Sequence, residues 1–257
     1  MEQPVRYEAA AGVATITLDR PARRNAIDAA AAAALRAAFE RFEADGDSLV
    51  AILTGSGEQA FCAGMDLAAF AAGEGPAIFG GRGGFAGFTH LARTKPVIAA
   101  VNGAALAGGC EIVLACDLVV AAEHARFGFP EVKRGLFAAA GGVLRLPRLI
   151  PRAEALELLL TGDPIDARTA LALGLVNRVV PAEELPAAAR ELALRIAANA
   201  PLAVRETLAL ARAVFALPEL ELQARNDETW ARVAASEDAR EGPLAFTEKR
   251  PARWTGR

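Results

Sequence analysis

At 257 residues the chain is long enough to bury a full core, and its size fits one compact unit with a terminal extension. A net charge of −3 and the absence of any run of Lys or Arg argue against a nucleic-acid partner. Hydrophobic residues make up 53% of the chain, but Ala supplies much of that share, and no apolar run approaches the roughly eighteen residues of a spanning helix.

In chain order, the opening Met1-Glu-Gln-Pro-Val-Arg-Tyr-Glu8 has neither a basic nor an apolar leader segment, so a soluble, cytoplasmic protein without membrane contact is expected. Residues 13–18, Val-Ala-Thr-Ile-Thr-Leu, alternate with period two and are rich in β-branched side chains. They predict a strand paired with residues 5–8 across a turn at Ala11-Gly12. After the polar connection Asp19-Arg-Pro-Ala-Arg-Arg-Asn25, Asp28 is placed to cap a helix with Leu35, Phe39 and Phe42 on one face, ended by Asp45-Gly46. Residues 49–54 read as a second buried strand. Gly55-x-Gly57-x-x-Ala60 then imitates a dinucleotide fingerprint, but no helix opens within those glycines, and Phe61-Cys-Ala-Gly64 runs on extended, so no nicotinamide site is expected.

Residues 66–71 predict a short helix, and residues 72–87 are dense in glycine, a segment that either lines a pocket or is a plain solvent loop. Lys95-Pro-Val-Ile-Ala-Ala-Val101 is a third strand, ended by Asn102-Gly103. A helix opens at Gly108-Gly109 and runs to about Cys116, followed by strands at 117–121 and 125–128. Strand, strand and helix recur about every 45 residues, which predicts an α/β fold of repeated ββα units wound into a spiral rather than a barrel. Beyond Gly142 the pattern turns helical, with helices at 151–160, 166–173 and 183–199 and a short strand at 177–180. Three more helices follow at 204–215, 219–235 and 237–249, with Gly242-Pro243 expected to kink or break the last. The expected division is a core over residues 1–198 and a helical region over 199–257 that packs on the core or on neighbouring subunits.

Two carboxylates stand out. Glu111, in the first turn of its helix, has a bland explanation in the helix macrodipole, and Glu131 has one in a surface pair with Arg134. Against these, Glu111 sits between Gly-Gly-Cys and Ile-Val-Leu-Ala-Cys, and Glu131 follows Phe127-Gly-Phe-Pro. Carboxylates in apolar settings tend to have raised pKa values and to serve as acids or bases. Gly108, lacking a side chain, lets a ligand oxygen approach the unpaired N–H groups at the positive end of the helix. A second N–H from the turn Ala63-Gly-Met-Asp66 would complete an oxyanion hole for a thioester carbonyl turning into an enolate. Two donors and two carboxylates point to acid–base chemistry alpha and beta to a carbonyl. Cys62, Cys110 and Cys116 lack zinc spacing, and with only His90 and His124 in the chain neither a metal site nor a cysteine nucleophile is expected.

Five motifs in order carry a family resemblance: Ala60-Phe-Cys-Ala-Gly-Met-Asp-Leu67, Lys95-Pro-Val-Ile-Ala-Ala-Val-Asn-Gly103, Gly108-Gly-Cys-Glu-Ile-Val-Leu-Ala-Cys-Asp117, Phe127-Gly-Phe-Pro-Glu-Val-Lys-Arg-Gly-Leu136 and Leu160-Thr-Gly-Asp163. Together they resemble the crotonase family, the enoyl-CoA hydratase/isomerase group, over nearly the whole chain. The resemblance implies a crotonase-like spiral with a C-terminal helical oligomerisation region, homotrimers or hexamers built as dimers of trimers, and acyl-CoA substrates. No cofactor is implied beyond the coenzyme A of the thioester substrate itself.

By the same resemblance, Met65 and Gly108 supply the oxyanion-hole N–H groups, Glu111 activates water and Glu131 delivers a proton to Cα. The thioester is expected at the turn of Ala63, Gly64, Asp66 and Leu67, and the adenine end near Arg24. Phe246 and Lys249, from a tail helix of this chain or of a neighbour, are expected to close over it. With both Glu present, the leading expectation is a lyase: reversible syn hydration of a trans-2-enoyl-CoA to a 3-hydroxyacyl-CoA. The run Gly135-Leu-Phe-Ala-Ala-Ala-Gly-Gly142 departs from the hydratase pattern, lacking its Pro and setting Phe137 beside Glu131. Gly142-Val-Leu-Arg-Leu-Pro147 looks more like members resembling carnitinyl-CoA dehydratase. Enoyl-CoA isomerisation, carnitinyl-type dehydration and CoA binding without catalysis are the alternatives.

Overall fold

A computed structural model describes residues 3–257. Strands β1 (Val5–Ala10) and β2 (Val13–Leu18) form the antiparallel hairpin, Val5 opposite Leu18, with Ala11 and Gly12 both at positive φ in the turn. Helix α1 (Ala29–Ala44) starts where the Asp28 carboxylate accepts a hydrogen bond from Ala31 N at 2.8 Å. As its spacing requires, α1 buries Leu35, Phe39 and Phe42.

Three strand pairs follow. They are β3 (Val50–Gly55) with β4 (Ala60–Cys62) and the short helices α2 (Leu67–Ala69) and α3 (Gly75–Phe79), then β5 (Val97–Val101) with β6 (Ala104–Leu106) and α4 (Gly108–Ala115). The third pair is β7 (Leu118–Ala122) with β8 (Arg126–Gly128), followed by a 3-10 turn over Pro130–Arg134 and by α5 (Gly142–Leu149). The rest is α6 (Arg152–Thr161), β9 (Ile165–Asp166), α7 (Ala167–Ala172), β10 (Arg178–Val180), α8 (Leu185–Ala197), α9 (Pro201–Ala213), α10 (Glu219–Ala234) and α11 (Glu237–Thr247).

The first strand of each pair enters a six-stranded sheet of order β1-β2-β3-β5-β7-β10, and the second enters a four-stranded sheet of order β4-β6-β8-β9. Each turn of the spiral therefore adds one strand to both layers, pairing in parallel with its predecessor. Parallel strands are buried on both faces, and β3 shows it. Ala51 and Leu53 join the main core with α1, while Val50 and Ile52 join a second cluster under α8.

Three features differ from the sequence expectation. Strands β6 and β9 have three and two residues, too few to show any alternation. Helix α5 forms despite Pro147, which lies in its last turn and removes one i→i−4 donor there. Helix α11 runs unbroken through Gly242-Pro243 because its neighbours hold it. The Asp238 carboxylate accepts from the N–H groups of Thr255 and Gly256, and Glu241 pairs with Arg250 at 2.6 Å. The tail is tied to the core by Arg212 of α9, whose guanidinium forks onto Asp117 at 2.6 and 2.8 Å, and by Trp254 Nε1, which donates to Ala198 O at 2.8 Å. Among the described residues no helix is long and apolar enough to cross a membrane.

Candidate active site

The second strands and α4 end at one cavity of about 330 Å³. Arg24, Ala63, Met65, Leu67, Gly108, Glu111, Glu131 and Phe137 all line it, so most of the residues singled out in the sequence meet there. Gly64 and Asp66 stand behind the wall, and Phe246 and Lys249 lie on the outer end of the chain's own α11 helix and the turn after it, away from the cavity lining. Phe246 is 86% exposed. The glycine-dense segment divides between the two roles weighed for it: Phe79 and Phe85 line the cavity, whereas Gly80, Gly81 and Arg82 face solvent.

The helix that carries Glu111 opens under strain. Ala107 holds φ 50° and ψ −130°, a conformation that costs a non-glycine residue about 1–3 kcal/mol. Its carbonyl accepts from the N–H groups of Cys110 and Glu111, and its N–H donates to Gly128 O at 2.9 Å. The next N–H, that of Gly108, donates to no protein acceptor among the described residues, and neither does that of Met65. Glycine at 108, which lines the cavity, also makes room for a neighbour: a Cβ there would lie 2.5 Å from the Phe85 ring.

Across from Gly108, the 63–66 turn approaches because Gly64, at φ 92°, has no Cβ. One built there would meet Gly108 N at 3.0 Å and Leu106 O at 3.1 Å. The turn is fixed from its far side by the segment before α1. Ala63 N donates to Arg24 O, Ile27 N to Gly64 O and Asp66 N to Ile27 O, leaving the Met65 N–H between them unpaired. Arg20 braces this segment by pairing with Asp28 at 2.6 Å and Asp66 at 3.4 Å and by donating to Ala26 O. The buried Asn25 side chain donates to Ser56 O and Ala60 O and accepts from Arg20 N. Asp66 also caps α2 through the N–H groups of Ala68 and Ala69, a structural duty.

Glu111 is 3% exposed and does not cap its own helix. Its Oε1 accepts from Gly142 N at 2.8 Å, so the macrodipole explanation does not describe where the carboxylate points. Burial pushes its pKa up to about 7; the negative charge of Glu131 adds to this, and the amides of Gly142 and Ala140 and the charge of Arg145 oppose it. Glu131, second in its 3-10 turn, is also raised by burial, partly offset by its own backbone N–H and by Arg134. Its Oε2 is buried without a protein hydrogen-bond partner. Arg134 does not pair with it but donates to Pro130 O at 3.2 Å. A carboxyl in the cavity wall with an unpartnered acceptor, beside a second carboxyl whose pKa is near neutrality, can hold and exchange protons with a bound molecule.

Sequence reading gave no role to Gly142, Arg145, Arg20 or Asn25. The signal for Gly142 was present, since a glycine pair after Ala140 opens α5, but its partner lies 31 residues earlier in the chain. A Cβ at 142 would meet Ala138 Cβ at 2.6 Å and Glu111 Oε1 at 3.1 Å. Gly142→Ala is therefore expected to displace the Glu111 carboxylate and lower kcat by about tenfold at little changed KM, as steady-state kinetics would read.

Comparison with known proteins shows the family of the chain. A family profile described as enoyl-CoA hydratase/isomerase matches residues 8–257. The chain is 46% identical over 262 residues to a protein of Proteus mirabilis named carnitinyl-CoA dehydratase, covering all of both chains. It is 48% identical over 247 residues to one of the same name from Salmonella typhi, covering 94% of each. Among solved structures, an enoyl-CoA hydratase of Mycobacterium tuberculosis matches with a TM-score of 0.95 at 46% identity, and a carnitinyl-CoA hydratase of Mycobacterium avium with 0.79 at 44%, each over the full length of both chains.

Proposed function

The chain belongs to the enoyl-CoA hydratase/isomerase (crotonase) family, and we propose that it adds and removes water across the Cα–Cβ bond of an acyl-CoA thioester, with carnitinyl-CoA as its leading substrate. The observation that carries the reading is the set of groups lining one cavity: Glu111 with a pKa near neutrality, Glu131 with an unpartnered acceptor, and Met65 and Gly108, whose backbone N–H groups have no protein acceptor among the described residues. In the elimination direction Glu131 takes the Cα proton while Glu111 protonates the departing hydroxyl. Addition runs the same steps backwards, Glu111 taking a proton from water as its oxygen bonds to Cβ. The N–H groups of Met65 and Gly108 hold the thioester oxygen, which carries the negative charge of the enolate between the two proton transfers.

Two observations favour a carnitinyl group over a plain fatty acyl chain. The identity to proteins named carnitinyl-CoA dehydratase runs the length of the chain. The cavity wall also carries Phe70, Phe79, Phe85 and Phe137, with the rings of Phe79 and Phe85 5.1 Å apart. Aromatic faces attract a quaternary ammonium group. The test is turnover of carnitinyl-CoA against 3-hydroxybutyryl-CoA, followed by the absorbance of the conjugated enoyl thioester formed. A kcat/KM for carnitinyl-CoA at least about tenfold higher is expected, the scale of a desolvated cation–π contact. A preference for 3-hydroxybutyryl-CoA would make the protein an ordinary enoyl-CoA hydratase, and turnover of 3-enoyl-CoA alone would make it an isomerase.

Assembly into trimers or hexamers belongs to the same reading. Leu144, Leu160, Phe215, Leu220 and Trp230 are all more than half exposed, an apolar outer surface suited to burial between subunits. Sedimentation equilibrium is expected to give a multiple of three chains, and a monomer would remove this part of the proposal.

A further inference from the structure

We infer that Arg145 is a positioning residue that holds the segment under Glu111 and favours the charged form of that carboxyl, an inference that rests on Glu111 acting in the chemistry proposed above. Arg145 stands one turn into α5, half-buried, and reaches back over the 138–142 segment. Its Nη1 donates to Ala140 O at 3.1 Å and its Nη2 to Thr89 O at 2.5 Å. The path is cleared by Gly141, at φ 115°, where a Cβ would lie 1.9 Å from Nη1. The segment thus strapped down is the one that presents Gly142 N to the Glu111 carboxylate. Thr89 follows the 85–87 turn, whose Phe85 lies against Gly108. One guanidinium therefore joins the support of the acid–base residue to the wall beside the Gly108 N–H.

The charge of Arg145 is not spent on a salt bridge, because both donors go to neutral carbonyls. It acts instead on the carboxyl nearby: Arg145 favours the ionised form of Glu111, and Glu111 in turn supports the charge on the half-buried Arg145. The other groups facing Glu111 are few. Glu131 from the 130–134 turn opposes ionisation, the amides of Ala140 and Gly142 favour it, and Cys110 on the same helix is a thiol whose pKa burial raises. Arg134 faces Glu131. Arg145 is the one cation among them that acts on Glu111 directly.

Two substitutions separate place from charge. Arg145→Gln keeps an amide that can donate to a carbonyl but removes the charge. Arg145→Lys keeps the charge but loses the fork across two carbonyls. For whichever acyl-CoA the wild type turns over best, the alkaline limb of the kcat/KM profile is expected to move up by on the order of half to one pH unit in Arg145→Gln and to stay in place in Arg145→Lys. The Lys variant is expected to lose kcat by roughly tenfold with KM unchanged, because the segment under Glu111 is loosened.

An unmoved limb in the Gln variant, or one displaced equally in both, would overturn the electrostatic part; a Lys variant with wild-type kcat would overturn the positioning part. Should the Gln variant fail to fold, Arg145→Met supplies the neutral comparison, and the Lys variant is read independently. Glu111→Gln serves as the control. If it turns over at the wild-type rate, the role of Glu111 itself is wrong, whereas a crippled Glu111→Gln with an unmoved limb in Arg145→Gln sinks only the inference about Arg145.

Discussion

Glu111→Gln is expected to lower kcat by about 10²–10⁴-fold, and Glu131→Gln by a similar factor, with little change in affinity for the CoA thioester. Glutamine at 111 keeps the volume and the carbonyl oxygen that accepts from Gly142 N, so the loss isolates proton transfer from packing. The pH dependence follows from the pair rather than from either residue. Elimination needs Glu111 protonated and Glu131 ionised, and addition needs the reverse, so both directions use the pair carrying one proton. With Glu111 raised to about 7 by burial, that proton is lost as pH rises through about 7. The kcat/KM profile should therefore fall above about 7 in both directions, and this limb should be absent from the residual activity of Glu111→Gln. A stability consequence accompanies it. A carboxyl whose pKa is raised on folding binds more protons folded than unfolded between about 4.5 and 7, so its contribution to stability falls across that window. Above pH 7 the native state holds a buried charge, and Glu111→Gln is expected to melt at a higher Tm than the wild type there. An equal or lower Tm for the variant at alkaline pH would show that Glu111 is solvated when ionised.

The parts of this site that were legible in sequence are those whose signal is local. Asp28 announces α1 because a capping carboxylate and its helix are neighbours in the chain, and Leu35, Phe39 and Phe42 repeat at the spacing of one helical face. Glu111 and Glu131 were conspicuous because a carboxylate in an apolar run is rare whatever the fold around it. What stayed hidden depends on partners distant in sequence. The bond from Gly142 N to Glu111 and the one from Arg145 to Thr89 O span 31 and 56 residues, and no periodicity encodes them. The four-stranded sheet was hidden for another reason: β6 and β9 are set by the register of their neighbours, and two or three residues carry no pattern of their own. Gly108 is the instructive intermediate. That glycine is useful there was readable, but its close contact with Phe85 required the glycine-dense segment to fold back over α4, which its composition did not specify. Pro243 does not break α11, because the contacts of Asp238 and Glu241 outweigh a local helix-breaking preference.

Gly64→Ala is expected to lower kcat by about 10²–10³-fold, the cost of losing one of the two proposed oxyanion donors, although residue 64 does not line the cavity. Its φ of 92° strains any residue with a side chain, and the added Cβ would meet Ala107 Cβ at 2.9 Å and Gly108 N at 3.0 Å. The 63–66 turn must then either change conformation, which turns the Met65 N–H away, or move back from the 106–108 segment, which separates Met65 from Gly108. Both routes would break the proposed pairing of the two donors. Arg20 and Asn25 brace the turn from behind and leave it little freedom to relax in any other way. Gly174→Ala is the matched control: residue 174 has a comparable φ of 82° and nothing within 4 Å of an added Cβ, so it incurs the backbone strain without the contact. A loss of Tm in both variants, larger in Gly64→Ala because of the added contacts, with kcat falling only in Gly64→Ala, is the expected pattern. If kcat survives in Gly64→Ala while Tm falls, the thioester oxygen is held by groups other than the N–H of Met65 and Gly108. The strain at Ala107 would then need an explanation other than the proposed placing of the first N–H of α4 toward the thioester oxygen.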